Sequence, residues 1–427
     1  MRDGGRLAAA IEVLTEIETR HFPVRMALKR WGESARYAGS KDRAFVSGLA
    51  LDALRRKRSL GWMMGDDSPR GVVLGVLAFD WKWSLERVAE ATGEEHGPGA
   101  LTDAERERLA SPRPLAEAPA PVAGDYADWM QPHLTRALGE GHTAEMAALA
   151  ERAPVDLRIN LLKTDVERGA KAVGLIGAEP AGVLDTAFRI PAPGAADRTP
   201  SVEAVPAFSK GWFEVQDLGS QIASALAGPI KGKQVLDFCA GGGGKTLALA
   251  AAMGNSGQIY AHDSDARRLA DTIRRGQRAG VRNLQIRSPI EGEPLKGLEG
   301  KLDLVFVDAP CTGSGTWRRH PDAKWRISPD QLTKRQIEQD AVLADAADFV
   351  KPGGRLIYVT CSLLAEENED RVAAFVERHP GFSVKPITLA GVEQHITPEG
   401  YLRLTPHRAG TDGFFAAVIE RGSYAPQ

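Results

Sequence analysis

Cysteine is scarce in this chain: three in 427 residues, at 239, 311 and 361. Three thiols cannot build a disulfide framework, which fits a reducing cytoplasm. Their spacing suits no zinc site, so no metal is expected. Long apolar runs are lacking too. No segment is predicted to span a membrane, and the opening MRDGGRLAAA has no apolar core of secretory length. The net charge is only −2, which excludes a polycation. Any contact with nucleic acid has to come from local basic patches. What is present is ordinary: 43% hydrophobic and 26% charged residues, as in a soluble protein with a real core. The length suggests about two to four domains.

The chain is organised around residues 234–251, QVLDFCAGGGGKTLALAA. A short buried strand leads into four glycines, and Lys245 and Thr246 open an alanine- and leucine-rich helix. Such a loop lets backbone approach a ligand and turns a helix N-terminus toward it. Three cofactors compete. A P-loop needs a glycine where Cys239 stands, so that match fails by one residue. A dinucleotide fingerprint fails because Lys245 and Thr246 crowd the third glycine. S-adenosylmethionine, bound across the same kind of turn, is the third. The loop alone does not choose.

Before residue 150 there is no strand alternation. Leu7, Ile11, Leu14 and Ile17 recur at helical spacing, and Ser40 is a candidate cap for a second helix buried through Phe45, Val46, Leu49 and Leu54. That helix runs into Arg55-Arg56-Lys57-Arg58, which is either a solvated helix end or an RNA contact. Residues 1–92 therefore form an all-α module. Residues 93–124, rich in Pro, Ala and Glu, read as a linker with one short helix at 102–109. Residues 125–226 read as a small α+β unit. In it Trp212 and Phe213 suit base stacking, although packing in a small sheet is the commoner use. From 227 to 427 strand and helix alternate, with strands expected at 235–238, 258–261, 284–287, 302–307, 355–359 and 414–419. That pattern predicts an α/β, Rossmann-like, doubly wound and mostly parallel sheet with ligands at the strand carboxyl ends.

The chemistry-bearing residues fall at those ends. Asp263 closes the second strand, placed to accept hydrogen bonds from the ribose hydroxyls of a nucleoside cofactor. Asp308-Ala-Pro-Cys311 follows the fourth strand, and Cys361 ends the fifth, so both thiols are expected to face one cleft. Cys239 reads as packing. A thiolate beside a methyl donor suggests cytosine chemistry: attack on carbon 6 makes carbon 5 nucleophilic, and loss of the carbon 5 proton later expels the thiol. Asp308 is placed to hold the base through N3 and the exocyclic amine, either protonated itself or paired with a protonated N3. An amino-group methyltransferase instead wants Asn/Asp-Pro-Pro-aromatic there. Arg267, Arg268, Arg274, Arg275 and Arg278, and the stretch WRRHPDAKWR at 317–326, supply basic and aromatic groups for RNA.

Together GSKDRAFVSGLALDALRR, LRINLLKTD, FEVQDLGSQIAS, CAGGGGKT, DSDARRL, DAPCTGSGTWRRHPDAKWR, TCSLLAEENE and HRAGTDGFF cover nearly the whole chain. They resemble the Sun family of RNA 5-methylcytosine methyltransferases, in particular the bacterial 16S ribosomal RNA members with a NusB-like N-terminal domain. The resemblance implies a NusB-like RNA-binding region at 1–92, an RRM-like subdomain within 125–226 and a methyltransferase domain from 227. It implies S-adenosylmethionine as cofactor, 16S rRNA as substrate and a cytoplasmic monomer. Cys361 is implied as nucleophile, Cys311 as the residue aiding product release and Asp308 as the holder of the target base. Cofactor binding is implied for the loop Cys239, Ala240, Gly241, Gly242, Gly243, Gly244 and Lys245, with Asp263, Arg268 and Asp308. RNA contact is implied for Arg158, Asn160, Arg318, Arg319 and Lys324. Two features depart from the family: Ala240-Gly241-Gly242 replaces Ala-Ala-Pro, and Ser288-Pro289 stands where an adenosine-contacting Asp is common, with Glu291 as a candidate substitute. A tRNA-directed enzyme of the same family and a non-catalytic ribosome-assembly factor are the rival readings.

Overall fold

The computed structural model describes residues 1–194 and 201–423, which form two compact units. The first holds Met1–Arg152 and also the distant segment Trp317–Ser328. Its described residues contain no strand. The helix Asp3–Arg20 buries Leu7, Ala10, Val13, Leu14 and Ile17 in one core with Val46, Leu49 and Ala50 of the helix Ser40–Arg55. This is the 3.6-residue stripe working as expected, with Ile11 only at its rim. The second helix is capped at Gly39, not Ser40: the Gly39 N–H donates to Asp42 Oδ2 at 3.0 Å.

Two expectations change in this unit. The basic run is a paired helix junction. Arg55 meets Asp52, Arg56 meets Asp80 at 2.6 Å, Lys57 meets Glu18 and Arg58 meets Asp128. The helix breaks at Arg56 and restarts as Lys57–Met64. Nor does the stretch 93–124 separate two bodies. Its helix Asp103–Ala110, closed by a Thr102/Glu105 capping box, is tied by Glu105 to Arg70 at 2.6 Å. Leu101 and Val122 are buried, and the Arg113 N–H bonds the Met63 carbonyl. The helices Gln131–Leu138 and His142–Leu149 also belong to this unit, so the boundary lies after Arg152 and not at 124.

The second unit carries two sheets. In the smaller, β1 (Val155–Ile159), β2 (Glu179–Pro180), β3 (Ala187–Ile190) and β4 (Phe213–Val215) pair antiparallel in the order β2-β3-β1-β4. Phe213 is fully buried in its core, and Trp212 packs against that core from the edge. The larger sheet contains β5 (Gln234–Asp237), β6 (Gln258–His262), β7 (Leu284–Arg287), β8 (Leu302–Asp308), β9 (Val350–Thr360), β10 (Phe382–Lys385), β11 (Leu402–Leu404) and β12 (Phe414–Arg421). Its order is β10-β12-β9-β8-β5-β6-β7, with β11 beside β12. The run β9-β8-β5-β6-β7 is parallel. Strand β12 runs antiparallel to β9, and β10 and β11 run antiparallel to β12. In β8 Leu304, Val305, Phe306 and Val307 are all buried, as expected of a parallel strand covered on both faces. The chain winds outward from β5 to β6 and β7, then returns to place β8 on the other side of β5. Strand order therefore reverses at β5/β8, where a doubly wound sheet opens a crevice at its carboxyl end. No helix among the described residues is long and apolar enough to cross a membrane.

Candidate active site

The glycine loop leaves β5 at that crevice. Gly243 has φ 81° and caps the helix Gly244–Met253. A Cβ at Gly243 would lie 2.9 Å from the Thr272 side chain, so the turn needs glycine. The neighbouring helix Ala266–Ala279 holds the loop by its carbonyls: Thr272 Oγ1 donates to Gly241 O at 2.9 Å and Arg275 Nη1 to Gly242 O at 2.6 Å. Below the loop, Thr246 donates to Asp237 Oδ2 at 2.6 Å. The other Asp237 oxygen is buried with no partner among the described residues. Burial pushes this carboxyl up to about 7, against the pull of the Thr246 bond.

Cofactor recognition can be tested on this geometry. At Gly241 and Gly244 the space a side chain would take is open. Asp263, at the tip of β6, accepts the Gly241 N–H at 2.9 Å and the Asp265 N–H at 2.8 Å, which fixes its carboxylate beside the loop. A carboxylate so held keeps lone pairs for two ribose hydroxyls. Arg268 reaches to 4.0 Å of it and is otherwise exposed. One strand over, Ser288 caps a short turn by accepting the Ile290 N–H, and Ile290 is 83% exposed. That turn offers an apolar face and a hydroxyl where the family commonly has an acid; the Glu291 side chain lies outside the described residues. The donors and the open loop fit an adenosyl cofactor. Accordingly Gly243→Ala is expected to weaken S-adenosylhomocysteine binding at least about tenfold in a calorimetric titration, through the clash with Thr272 and the lost left-handed turn.

Across the crevice, Lys245 Nζ donates to Asp308 Oδ2 at 2.6 Å. Burial lowers the lysine, but Asp308 and then the Cys361 sulfur overcome this and raise it, so it is a fixed cation. Strands β8 and β9 lie side by side with Asp308 opposite Val359, which brings the residues after each strand together. The Cys311 and Cys361 sulfurs are 3.3 Å apart. The Gly315 N–H donates to the Cys361 carbonyl and the Gly413 N–H to the Gly315 carbonyl, locking the two loops. The hydrogen bond to Cys361, burial and nearby negative charge push the Cys311 thiol well up. Cys239 is also pushed up, by burial and three carboxylates, so its thiol stays protonated and out of the chemistry.

Residues expected to touch RNA are distributed differently. Arg158 is buried on β1, donates to Gln216 at 2.8 Å and is pulled down to about 10 by burial against the Glu214 charge. Asn160 is buried and ties the Gly211 and Ala279 carbonyls together, each at 2.8 Å. Lys324, also buried, donates to the Arg55 carbonyl at 2.5 Å, and Trp325 Nε1 donates to the Leu54 carbonyl at 2.7 Å, both inside the helical unit. Burial lowers Lys324 to about 8. These three polar groups are buried and bonded within the fold. Arg318 is buried and Arg319 half-buried. Arg275 and Arg278 converge on buried Glu214, at 3.1 and 2.6 Å. Sequence reasoning missed Glu214. It also missed Glu367, whose place in TCSLLAEENE, six residues past Cys361, was the available signal.

Comparison with known proteins places the arrangement. A family profile described as 16S rRNA methyltransferase RsmB/F matches residues 224–420. The chain is 32% identical over 305 residues to the probable ribosomal RNA small subunit methyltransferase B of Synechocystis sp., a match covering 69% of this chain and 67% of that one. It is 32% identical over 300 residues to ribosomal RNA small subunit methyltransferase B of Erwinia tasmaniensis, covering 68% and 65%. Each match thus spans about two thirds of the relative's length. Among solved structures, a methyltransferase homolog protein from Pyrococcus horikoshii superposes with TM-score 0.59 at 28% identity over 71% of this chain and 97% of that one. The structure of PH0851 superposes with TM-score 0.74 at 24% identity over 99% of both, which speaks for the fold alone. The chain belongs to the 16S rRNA methyltransferase RsmB/F family, and S-adenosylmethionine is its cofactor.

Proposed function

We propose that this protein methylates carbon 5 of a cytosine in RNA, with 16S rRNA as the target, through a covalent bond between Cys361 and carbon 6. The observation that carries the reading is the pair of sulfurs 3.3 Å apart on neighbouring strand ends, beside the Lys245–Asp308 ion pair. One thiol alone serves many roles; two thiols and a paired acid serve a reaction in which a bond to the base is both made and broken. The Cys361 sulfur gives its electrons to carbon 6, and the ring's electrons move to carbon 5. Bound S-adenosylmethionine supplies the electrophilic methyl group. Transfer of the carbon 5 proton to water acting as base then restores the ring as the carbon 6–sulfur bond breaks and Cys361 leaves as thiolate. Cys311, in contact with Cys361, aids that release. Asp308, paired with Lys245 as a carboxylate, accepts from the exocyclic amine and from the proton that N3 takes up as carbon 6 is attacked.

Gly241, Gly242, Gly243 and Gly244 with Asp263 and Arg268 hold the cofactor, Cys239 and Ala240 contributing only backbone. The all-helical unit serves as a NusB-like RNA-binding domain, and the four-stranded sheet as an RRM-like one. The relatives' names, ribosomal RNA small subunit methyltransferase B, support the ribosomal target over a tRNA. The protein acts as a cytoplasmic monomer on this reading. Incubation of the purified chain with cofactor and unmodified 16S RNA, then nucleoside mass spectrometry, tests it. 5-Methylcytidine is the expected product; methylation at an exocyclic amine instead would overturn the carbon 5 assignment.

A further inference from the structure

Cys311 and Cys361 carry the same chemistry, yet the proposed reaction asks opposite things of them. One must attack as a thiolate while the other waits as a thiol. The strands bring the sulfurs together without distinguishing them. A buried carboxylate does distinguish them. Glu367 lies in the turn Ala365–Glu367 and is fully buried. Its Oε1 accepts from the Thr312 N–H at 2.8 Å and from Gln339 Nε2 at 3.0 Å. Its Oε2 accepts from Thr312 Oγ1 at 2.5 Å and from Ser362 Oγ. Thr312 directly follows Cys311, and Ser362 directly follows Cys361. Ser314, on the Cys311 loop, extends the clamp to Ser362 at 3.1 Å. The Tyr358 hydroxyl donates to the Glu367 carbonyl at 2.6 Å and pins the turn.

Two donors reach each oxygen, the set an ionised carboxylate accepts. Burial pushes Glu367 up on balance, and these bonds offset part of that rise. The surrounding charges are asymmetric. Cys311 faces Cys361, the Glu367 carboxylate and the Tyr358 phenol, which Arg371 and Asp340 face in turn. Lys245, held by Asp308 and near Asp237, faces Cys361. Glu367 takes two bonds from Thr312, beside Cys311, and one from Ser362, beside Cys361, so the anion is bound more heavily to the Cys311 loop, while the Lys245 cation acts on Cys361.

We propose that Glu367 is the positioning residue of this site: its carboxylate clamps the Cys311 loop to the Cys361 loop, and its charge reserves the attacking role for Cys361. This rests on the two-cysteine reading above. The test uses the full chain and Glu367→Gln, which keeps size and removes charge. Iodoacetamide alkylation of each cysteine is followed against pH by peptide mass spectrometry. Cys311 labelling is expected to move about one pH unit lower, about tenfold faster at a given pH, while Cys361 labelling changes less than about twofold. Glu367→Asp keeps the charge and should restore the Cys311 profile. Under saturating RNA, kcat of Glu367→Gln should fall about 100-fold with KM nearly unchanged. Thr312→Val, which cuts one arm of the clamp but leaves the charge buried and paired elsewhere, should lower kcat about tenfold with the Cys311 profile in place. It carries the test should Glu367→Gln not fold. An unmoved Cys311 profile in Glu367→Gln, a parallel rise at both cysteines, or an unchanged kcat in Thr312→Val would overturn the proposal. Alkylation needs neither RNA nor cofactor, so a failure of the methylation chemistry itself, seen as no product from the unaltered chain, is read separately.

Discussion

Cys361→Ala is expected to abolish methyl transfer, and Cys311→Ala is expected to leave the protein covalently joined to its RNA. The first loss is expected to exceed about 10⁴-fold in kcat, because without the nucleophile carbon 5 of cytosine never becomes electron-rich enough to take a methyl group. The second follows from the order of events. With Cys311 gone, the proposed attack and methylation should proceed and release should stall, so a denaturing gel is expected to show a protein–RNA band. Since the sulfurs are 3.3 Å apart, either can reach the same carbon, and the gel assigns the roles. A stable adduct from Cys361→Ala, with none from Cys311→Ala, would exchange them. The clamp favours the first outcome: Glu367 takes two bonds from Thr312, beside Cys311, and one from Ser362, beside Cys361.

Glu214→Ala is expected to cost about 3–5 kcal/mol of stability, a large part of what an ordinary domain possesses. Glu214 is fully enclosed on β4, opposite Arg158 on β1, and takes both Arg275 and Arg278 from the helix beside the glycine loop. Its removal leaves buried Arg158 without its neighbouring acid and the half-buried Arg275 and Arg278 without their ion-pair partner, and burying an unpaired charge costs more than the pair was worth. Glu214→Gln retains one acceptor and should lose less. Because Arg275 also holds the Gly242 carbonyl, the same change should loosen the cofactor loop and weaken S-adenosylhomocysteine binding. The urea midpoint and a calorimetric titration read the two effects. A stability loss below about 1 kcal/mol would show that the three arginines reach solvent when the acid is gone.

Much of this site could be read from sequence because its parts are local. A strand, a glycine turn and a helix start lie within residues 234–251, and Asp263, Asp308 and Cys361 end strands whose apolar runs are plain. The six strands expected from 235 to 419 are present, with bounds shifted by a residue or two except at β9, which starts at Val350. Strands β10 and β11 went unread because they are short and half-polar and, among the strands of the sheet, lie beside β12. The basic residues were harder. An arginine in a sequence shows its charge and not its partner. Arg275 and Arg278 look like an RNA-facing row until Glu214, some sixty positions earlier, is seen between them. Lys324 sits in a Trp/Arg-rich stretch that suggests stacking on bases, yet this stretch folds into the helical unit nearly three hundred positions earlier in the chain. Long-range burial decided each of these, and no local pattern records it. The linker reading failed for a related reason: proline and alanine mark irregular backbone, but irregular backbone can still pack, as Leu101 and Val122 do.

Bisulfite sequencing of ribosomal and transfer RNA, from cells with and without the gene for this protein, tests the central claim most directly. Cytosines methylated at carbon 5 resist deamination. The account predicts that one protected cytosine in 16S RNA disappears with the gene and returns when the unaltered gene, but not its Cys361→Ala form, is restored. Identical protection patterns in both cells would contradict it, and a loss confined to a tRNA would contradict the ribosomal target while leaving the chemistry in place.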